Sequence, residues 1–150
     1  MIRIARPADT ENILVMMRHY RELSLITEHK NSDETTTQRV INEVLLGRGI
    51  IFLAENSAGT VGMLMAIRNP NIWDNRIIAM NELIYWVEPE HRQARLGLDL
   101  LKTYIDYCND LVEKKKIHYF TLSQRGNAPD MGYERFGFVK LEETFVCQPL

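Results

Sequence analysis

The sequence predicts a single α/β domain of the α+β kind over residues 1–150, built on a mixed central sheet of six to seven strands in the order β-α-α-β-β-β-α-β-α-β. Three observations carry this prediction. Hydrophobic periodicity switches along the chain between two residues and 3.6 residues. A strand, a long amphipathic helix and another strand follow one another in the second half, which requires a parallel pair. Finally, 150 residues at 45% hydrophobic composition suffice for one core, since a domain of this length removes roughly 70% of its unfolded surface from water.

The elements follow in order. Ile2 and Ile4 alternate with arginines as in a short strand, and Pro7 and Asp9 then introduce a helix with its apolar face at Ile13, Met16, Met17, Tyr20 and Leu23. After the polar stretch His29 to Glu34, a second helix places Val40, Ile41, Val44 and Leu45 on one face, and Gly47 stops it. Ile50 to Glu55 and Val61 to Ile67 are β-rich runs joined by a polar, glycine-containing loop, the pattern of an antiparallel hairpin. The run from Ile77 to Val87 is longer than most strands and invites a bend or bulge. Leu96 to Val112 carries an apolar stripe through Leu100, Tyr104, Cys108 and Leu111, closed by Lys114 to Lys116, and Ile117 to Leu122 is the next strand. Pro129 begins a short last helix that ends before Gly137, and Phe138-Val139 with Thr144 to Cys147 suggests a final antiparallel pair.

Composition narrows the function. The 18 basic and 20 acidic residues leave a formal charge of -2, which gives no electrostatic basis for binding nucleic acid or an anionic membrane. The two cysteines, Cys108 and Cys147, suit a reducing compartment, with the cytoplasm as the default, and Cys108 falls on the helix stripe as a core filler. The start lacks a signal-peptide pattern and no apolar run reaches 18 residues, so a soluble, unprocessed protein is expected. The four histidines form no ligand cluster, which argues against a metal site.

The segment from Asn81 to Leu101 is the most informative: a strand enters, a turn with Pro89 breaks it, and a helix leaves. Backbone N–H groups of such a turn, continued by an open helix N-terminus, make an anion site, and Arg92 and Arg95 add positive charge. An ordinary strand-turn-helix with a solvated basic turn has the same local pattern. Val87-Glu88-Pro89-Glu90-His91-Arg92 and Arg92-Gln93-Ala94-Arg95-Leu96-Gly97 resemble the V-x-P-x-x-R turn and pyrophosphate loop of the GNAT superfamily of N-acyltransferases. Arg95 stands where the family has its first loop glycine, and Gly97 is retained. Asn127-Ala128 and Gly132-Tyr133-Glu134-Arg135-Phe136-Gly137-Phe138 resemble the family's asparagine turn and Y-E-x-x-G-F motif, in the correct order. Asn81 to Val87 with the loop after it also looks like small acetyltransferases encoded by bacteriophages.

The resemblance implies a GNAT fold splayed between the fourth and fifth strands, and an acetyl-CoA-dependent transfer to a primary amine of a small molecule or protein. It implies cofactor contacts from Tyr85, Trp86, Val87, Arg92, Gln93, Ala94, Arg95, Leu96, Gly97, Leu98 and Asn127. Tyr133 would protonate the leaving thiolate. An ammonium has no lone pair, so a base is needed, and Glu82, on the strand approaching the cleft among apolar neighbours, is the candidate. Its competing role is a structural carboxylate or ion-pair partner, as packing of the last helix is for Tyr133. Members of the family dimerise through C-terminal strands, which would place Phe145 and Val146 at a homodimer interface. The alternative function is a catalytically inactive CoA-binding module acting as a sensor or interaction protein. Acylation of aminoacyl-tRNA is disfavoured by the net charge.

Overall fold

A computed structural model describes residues 1–148. Five strands form one sheet in sequence order: β1 (Ile2–Ile4), β2 (Gly49–Asn56), β3 (Gly59–Pro70), β4 (Ile78–Val87) and β5 (Tyr119–Thr121). The first four pair antiparallel, and β4 with β5 pairs parallel. The helices are α1 (Thr10–Glu22), α2 (Thr27–Lys30), α3 (Thr35–Glu43) and α4 (Leu96–Glu113). None is long and apolar enough to cross a membrane.

Helices cover both faces of the sheet, so the central strands are apolar on both sides. Along β2, Ile50 and Phe52 pack toward Leu100, Tyr104 and Cys108 of α4, whereas Ile51 and Leu53 pack toward Ile13 and Leu14 of α1 and Ile41 of α3. The predicted α3 stop is observed: a wide turn over Val44–Arg48 contains Gly47 at φ 109, a backbone conformation that favours glycine. Burial pushes the Cys108 thiol up to about 12, in keeping with a packing role.

The irregularity expected in the long strand is a bulge. Met65 pairs with Ile84 and Ala66 with Glu82, leaving Leu83 as the extra residue of β4. The bulge reverses which face each parity serves. Met80 belongs to the α4 side before it, whereas Tyr85 and Val87 belong there after it, and Ile84 and Trp86 turn to the α1 side.

Two expectations for the C-terminal region are corrected. The sheet has five strands, and among the described residues none follows Thr121. The predicted last helix is a short 3-10 turn, Tyr133–Phe136, flanked by Gly132 at φ 60 and Gly137 at φ 91. Phe138 packs edge-on against Phe120 of β5, whereas Val139, Phe145 and Val146 remain exposed and unpaired, so alternation there had no partner strand to bury it. The C-terminal strands expected to form a dimer interface are therefore not observed.

The first strand is tied down by charge. The Arg3 guanidinium donates to both oxygens of Asp9, at 2.7 and 2.8 Å, and to Glu55 at 2.8 Å, while the Arg6 N–H donates to Asp9 at 2.7 Å. These bonds hold the Asp9 carboxyl down to about 2, the Arg3 contact contributing most. A carboxylate with a lowered pKa stabilises the fold above its ordinary 3.8, and that contribution is lost as pH falls toward about 2. Asp9→Asn should lose about 1–3 kcal/mol in urea denaturation at pH 7. The gap to the wild type should close as pH falls from 3.8 to about 2, and a gap independent of pH would refute the ionic role.

Candidate functional site

The site begins where β4 and β5 part. Their pairing runs through Ala79, Met80 and Asn81 opposite Tyr119, Phe120 and Thr121 and then ceases, although β4 continues to Val87. Side chains fix the point of separation. The Thr121 hydroxyl donates to the Asn81 side-chain oxygen at 3.0 Å. The Tyr104 hydroxyl, rising from α4, meets the Thr121 carbonyl at 3.0 Å and the Met80 carbonyl at 3.5 Å. Beyond this fork lies a cavity of about 440 Å³ between β4, the start of α4 and the segment after β5.

Glu82 is the first side chain past the fork. It is 7% exposed, and its Oε2 accepts the Ser123 N–H at 3.0 Å. Burial pushes its carboxyl up to about 7, against opposing effects of the Ser123 hydrogen bond and the Arg125 charge. Such a group exchanges protons at neutral pH, which an exposed glutamate does not. Tyr133 lines the same cavity, with its hydroxyl 3.5 Å from the Ser123 carbonyl. Burial raises the Tyr133 pKa, so its hydroxyl keeps a proton to donate. Ser123 thus joins the two groups: its N–H meets Glu82 and its carbonyl meets Tyr133.

At the other end of the cavity the chain leaves β4 through a short 3-10 turn, Pro89–His91, and enters α4. Among the described residues the backbone N–H groups from Gln93 through Leu98 meet no acceptor, and the residue preceding α4, Arg95, provides no side-chain cap. A run of open N–H groups at a helix N-terminus favours an anion. The Arg95 side chain is exposed, so it does not block the loop. Arg92 is turned back: its Nε donates to the Val87 carbonyl at 2.8 Å, and its guanidinium lies 4.6 Å from the Trp86 ring centre. Glu90 in the 3-10 turn and Asp99 in the first turn of α4 oppose an anion, so the open N–H groups rather than the net side-chain charge favour one there. A Cβ on Gly97 would lie 3.4 Å from the Tyr85 hydroxyl and 3.6 Å from Val87 Cγ2, so a methyl group fits and a larger side chain enters the cavity. The Tyr85 hydroxyl donates to the Gly97 carbonyl, bracing strand against helix.

The structure therefore brings Glu82, Tyr85, Trp86, Val87, Arg92, Ala94, Gly97, Leu98 and Tyr133 to one cavity. Gln93 and Arg95 lie on the exposed turn at its edge, and Leu96 is buried in the α4-side core. Asn127 stands apart, lining a second cavity and donating to the Leu23 carbonyl at 3.1 Å. Trp73, in the loop before β4, is 85% exposed and in neither cavity. Tyr20, Ser123 and Arg125 line the first cavity without belonging to any motif. Tyr20 falls on the apolar stripe of α1, a visible but unspecific signal, and the other two carry no local signal at all.

No family model matches the chain, and no curated protein sequence is significantly similar to it. Solved structures match it nearly end to end. A GNAT family acetyltransferase from Staphylococcus aureus is 15% identical with a TM-score of 0.64, covering 99% of this chain and 98% of its own. An aminoglycoside acetyltransferase from an uncultured soil metagenomic sample, in complex with trehalose, is 14% identical with a TM-score of 0.65, covering 100% and 94%. A transcriptional regulator from Bacillus halodurans is 19% identical with a TM-score of 0.70, covering 99% and 98%. These three lend no support to a bacteriophage origin. At such identities shared architecture leaves chemistry to the site. The chain has the α+β fold of GNAT-family acetyltransferases, with a mixed sheet of five strands that opens between the fourth and the fifth.

Proposed function

We propose that the protein is an N-acetyltransferase that moves the acetyl group of acetyl-CoA to a primary amine by direct attack in a ternary complex. The observation that carries this reading is the meeting, in one cavity, of a buried carboxylate with a pKa near neutrality, a protonated tyrosine hydroxyl and an anion-receptive helix start. Acetyl-CoA supplies an activated acetyl thioester. The open N–H groups from Gln93 to Leu98, with Arg95, suit its pyrophosphate, and the unpaired edge of β4 beyond Asn81 suits the amides of its pantetheine arm.

Glu82 receives a proton from the acceptor's ammonium, directly or through water, and leaves a nitrogen lone pair. Tyr133 gives its proton to the departing sulfur, and the second proton shed by the nitrogen restores the tyrosine. Held against the thioester, the amine gains an effective concentration on the order of 10⁵ M or more when aligned. The alternative, a CoA-binding module without catalysis, draws on Arg95 in place of glycine. Turnover separates the two readings, because binding without thiol release would favour the module.

Glu82→Gln should lower kcat/KM by about 10²–10⁴-fold and remove a rising limb near pH 7, leaving only the rise due to free amine. An unchanged profile would exclude Glu82 as the base. The same variant should change stability in a defined direction. Native Glu82 holds a proton that the unfolded chain releases, so wild-type stability falls as pH rises from 4.5 to about 7. Wild type should lose about 3 kcal/mol relative to Glu82→Gln across that window in urea titrations, and parallel pH curves would contradict the buried site.

Gly97→Leu should weaken acetyl-CoA binding by about tenfold or more in calorimetry, since the side chain would enter the cavity. Tyr133→Phe should keep cofactor affinity and lose about 10²-fold in kcat. Full affinity in the first variant or full turnover in the second would remove that residue from the mechanism.

A further inference from the structure

A second cavity, of about 530 Å³, opens between α1, α2 and the segment after β5, with walls that are largely apolar, among them Leu14, Met17, Leu23 and Ile84. Tyr20 and Arg125 line both cavities and form a wall common to the two, with the Arg125 guanidinium 4.3 Å from the Tyr20 ring centre. A space adjoining the proposed reaction centre and lined by aliphatic side chains suits an aliphatic group of the acceptor.

The polar groups on its wall add a second requirement. Arg18, Arg21 and Arg125 all line the cavity. Arg18 is neutralised by a two-point ion pair with Glu34. Arg21 and Arg125 have no carboxylate partner among the described residues, and Arg21 Nε and Arg125 Nη1 are buried without any acceptor. Arg21 Nη1 does donate to the Ser32 carbonyl at 3.2 Å, which fixes the guanidinium without satisfying its charge. A buried donor left unpaired is costly, and a carboxylate supplies two acceptor oxygens in the spacing a guanidinium matches. Glu82 lies close by, bonded to Ser123, two residues before Arg125, and it feels the Arg125 charge. The junction thus offers an anion on one side, a cation on the other and an apolar space beyond.

We infer that the acceptor is a free α-amino acid with an apolar side chain: its ammonium faces Glu82, its carboxylate pairs with Arg125, and its side chain fills the second cavity. Arg21 adds positive charge along the same wall. The inference rests on the acyl-transfer reading of the Glu82 site. In the reaction the amino acid nitrogen loses one proton to Glu82 and forms a bond to the acetyl carbon as the carbon–sulfur bond breaks. The nitrogen then sheds its second proton while Tyr133 protonates the sulfur. The products are the N-acetylamino acid, the CoA thiol and one proton. A polycationic acceptor lacks the carboxylate and is repelled by two unpaired guanidiniums.

The test combines calorimetric binding of leucine with thiol release from acetyl-CoA, using leucine, glycine, leucinamide and kanamycin as acceptors, for the wild type and Arg125→Gln. Leucine should exceed both glycine and leucinamide in kcat/KM by about tenfold or more. Leucinamide has the less basic and so more available amine at neutral pH, which biases the comparison against this outcome. In Arg125→Gln the ratio of leucine to leucinamide should fall to about one, chiefly through KM. The wild-type comparison with glycine needs no variant and stands if Arg125→Gln fails to fold. Turnover of kanamycin or leucinamide equal to that of leucine would overturn the amino acid assignment and leave acyl transfer standing. Leucine binding that is lost in Arg125→Gln, with no thiol released by any amine, would overturn acyl transfer and uphold the amino acid site.

Discussion

The parting of β4 from β5 after Asn81 and Thr121 is the constraint on which the rest of the site depends. A continuous parallel pair would have engaged the free edge of β4 and filled the space that Glu82 now borders. Separation leaves backbone groups without ladder partners, and the fold meets this locally. Tyr104 takes the carbonyls of Met80 and Thr121, Thr121 bonds Asn81, and the Ser123 N–H goes to Glu82 instead of to a strand. The opening is therefore held by side chains from α4 and both strands, and three of those four bonds involve no residue with a catalytic assignment.

The bulge at Leu83 gives the fork its chemical asymmetry. Without the extra residue, Tyr85 and Val87 would face α1 and Trp86 would face α4. With it, Tyr85 reaches the Gly97 carbonyl at the start of α4, and Trp86 reaches Tyr20 and Arg92 on the other side. Glu82 sits immediately before the change of parity, where strand pairing is least regular. A carboxylate is tolerated there because one N–H and a neighbouring guanidinium partly offset its desolvation. They do not offset it fully, and the remaining imbalance keeps its pKa near neutrality.

Much of this was legible in the sequence because it depends on local pattern. The strand, turn and helix from Asn81 to Leu101 could be read from Pro89, Gly97 and the apolar stripe through Tyr104 and Cys108, and the excess length of β4 signalled its bulge. Glu82 was legible as a lone carboxylate in an apolar strand. Arg125 was not, because its importance comes from stacking on Tyr20, which lies 105 positions away in sequence. The C-terminal alternation at Phe145 and Val146 misled for the converse reason: period-two patterning implies a strand only where another strand edge is available to pair with it. Among the described residues no strand forms after Thr121, so that pair has no ladder to join.

A fold shared at 14–19% identity with two acetyltransferases and a transcriptional regulator leaves function to the side chains of the site. Here the side chains of the site divide into two groups with opposite demands. The turn before α4 is exposed and open, suited to a charged and well-hydrated phosphate group that gains from N–H dipoles without full desolvation. At the junction of Glu82, Tyr20 and Arg125 the carboxylate is buried and the other two are half-buried, so an opposite charge is favoured beside each charge there. Among the described residues no acceptor meets Arg21 Nε or Arg125 Nη1, and the Glu82 carboxylate, with its pKa raised to about 7 by burial, is only partly ionised at neutral pH. A ligand bearing its own anion would repair that deficit, whereas a ligand bearing cations alone would deepen it. The charge balance of the interior thus constrains the acceptor more tightly than the fold does.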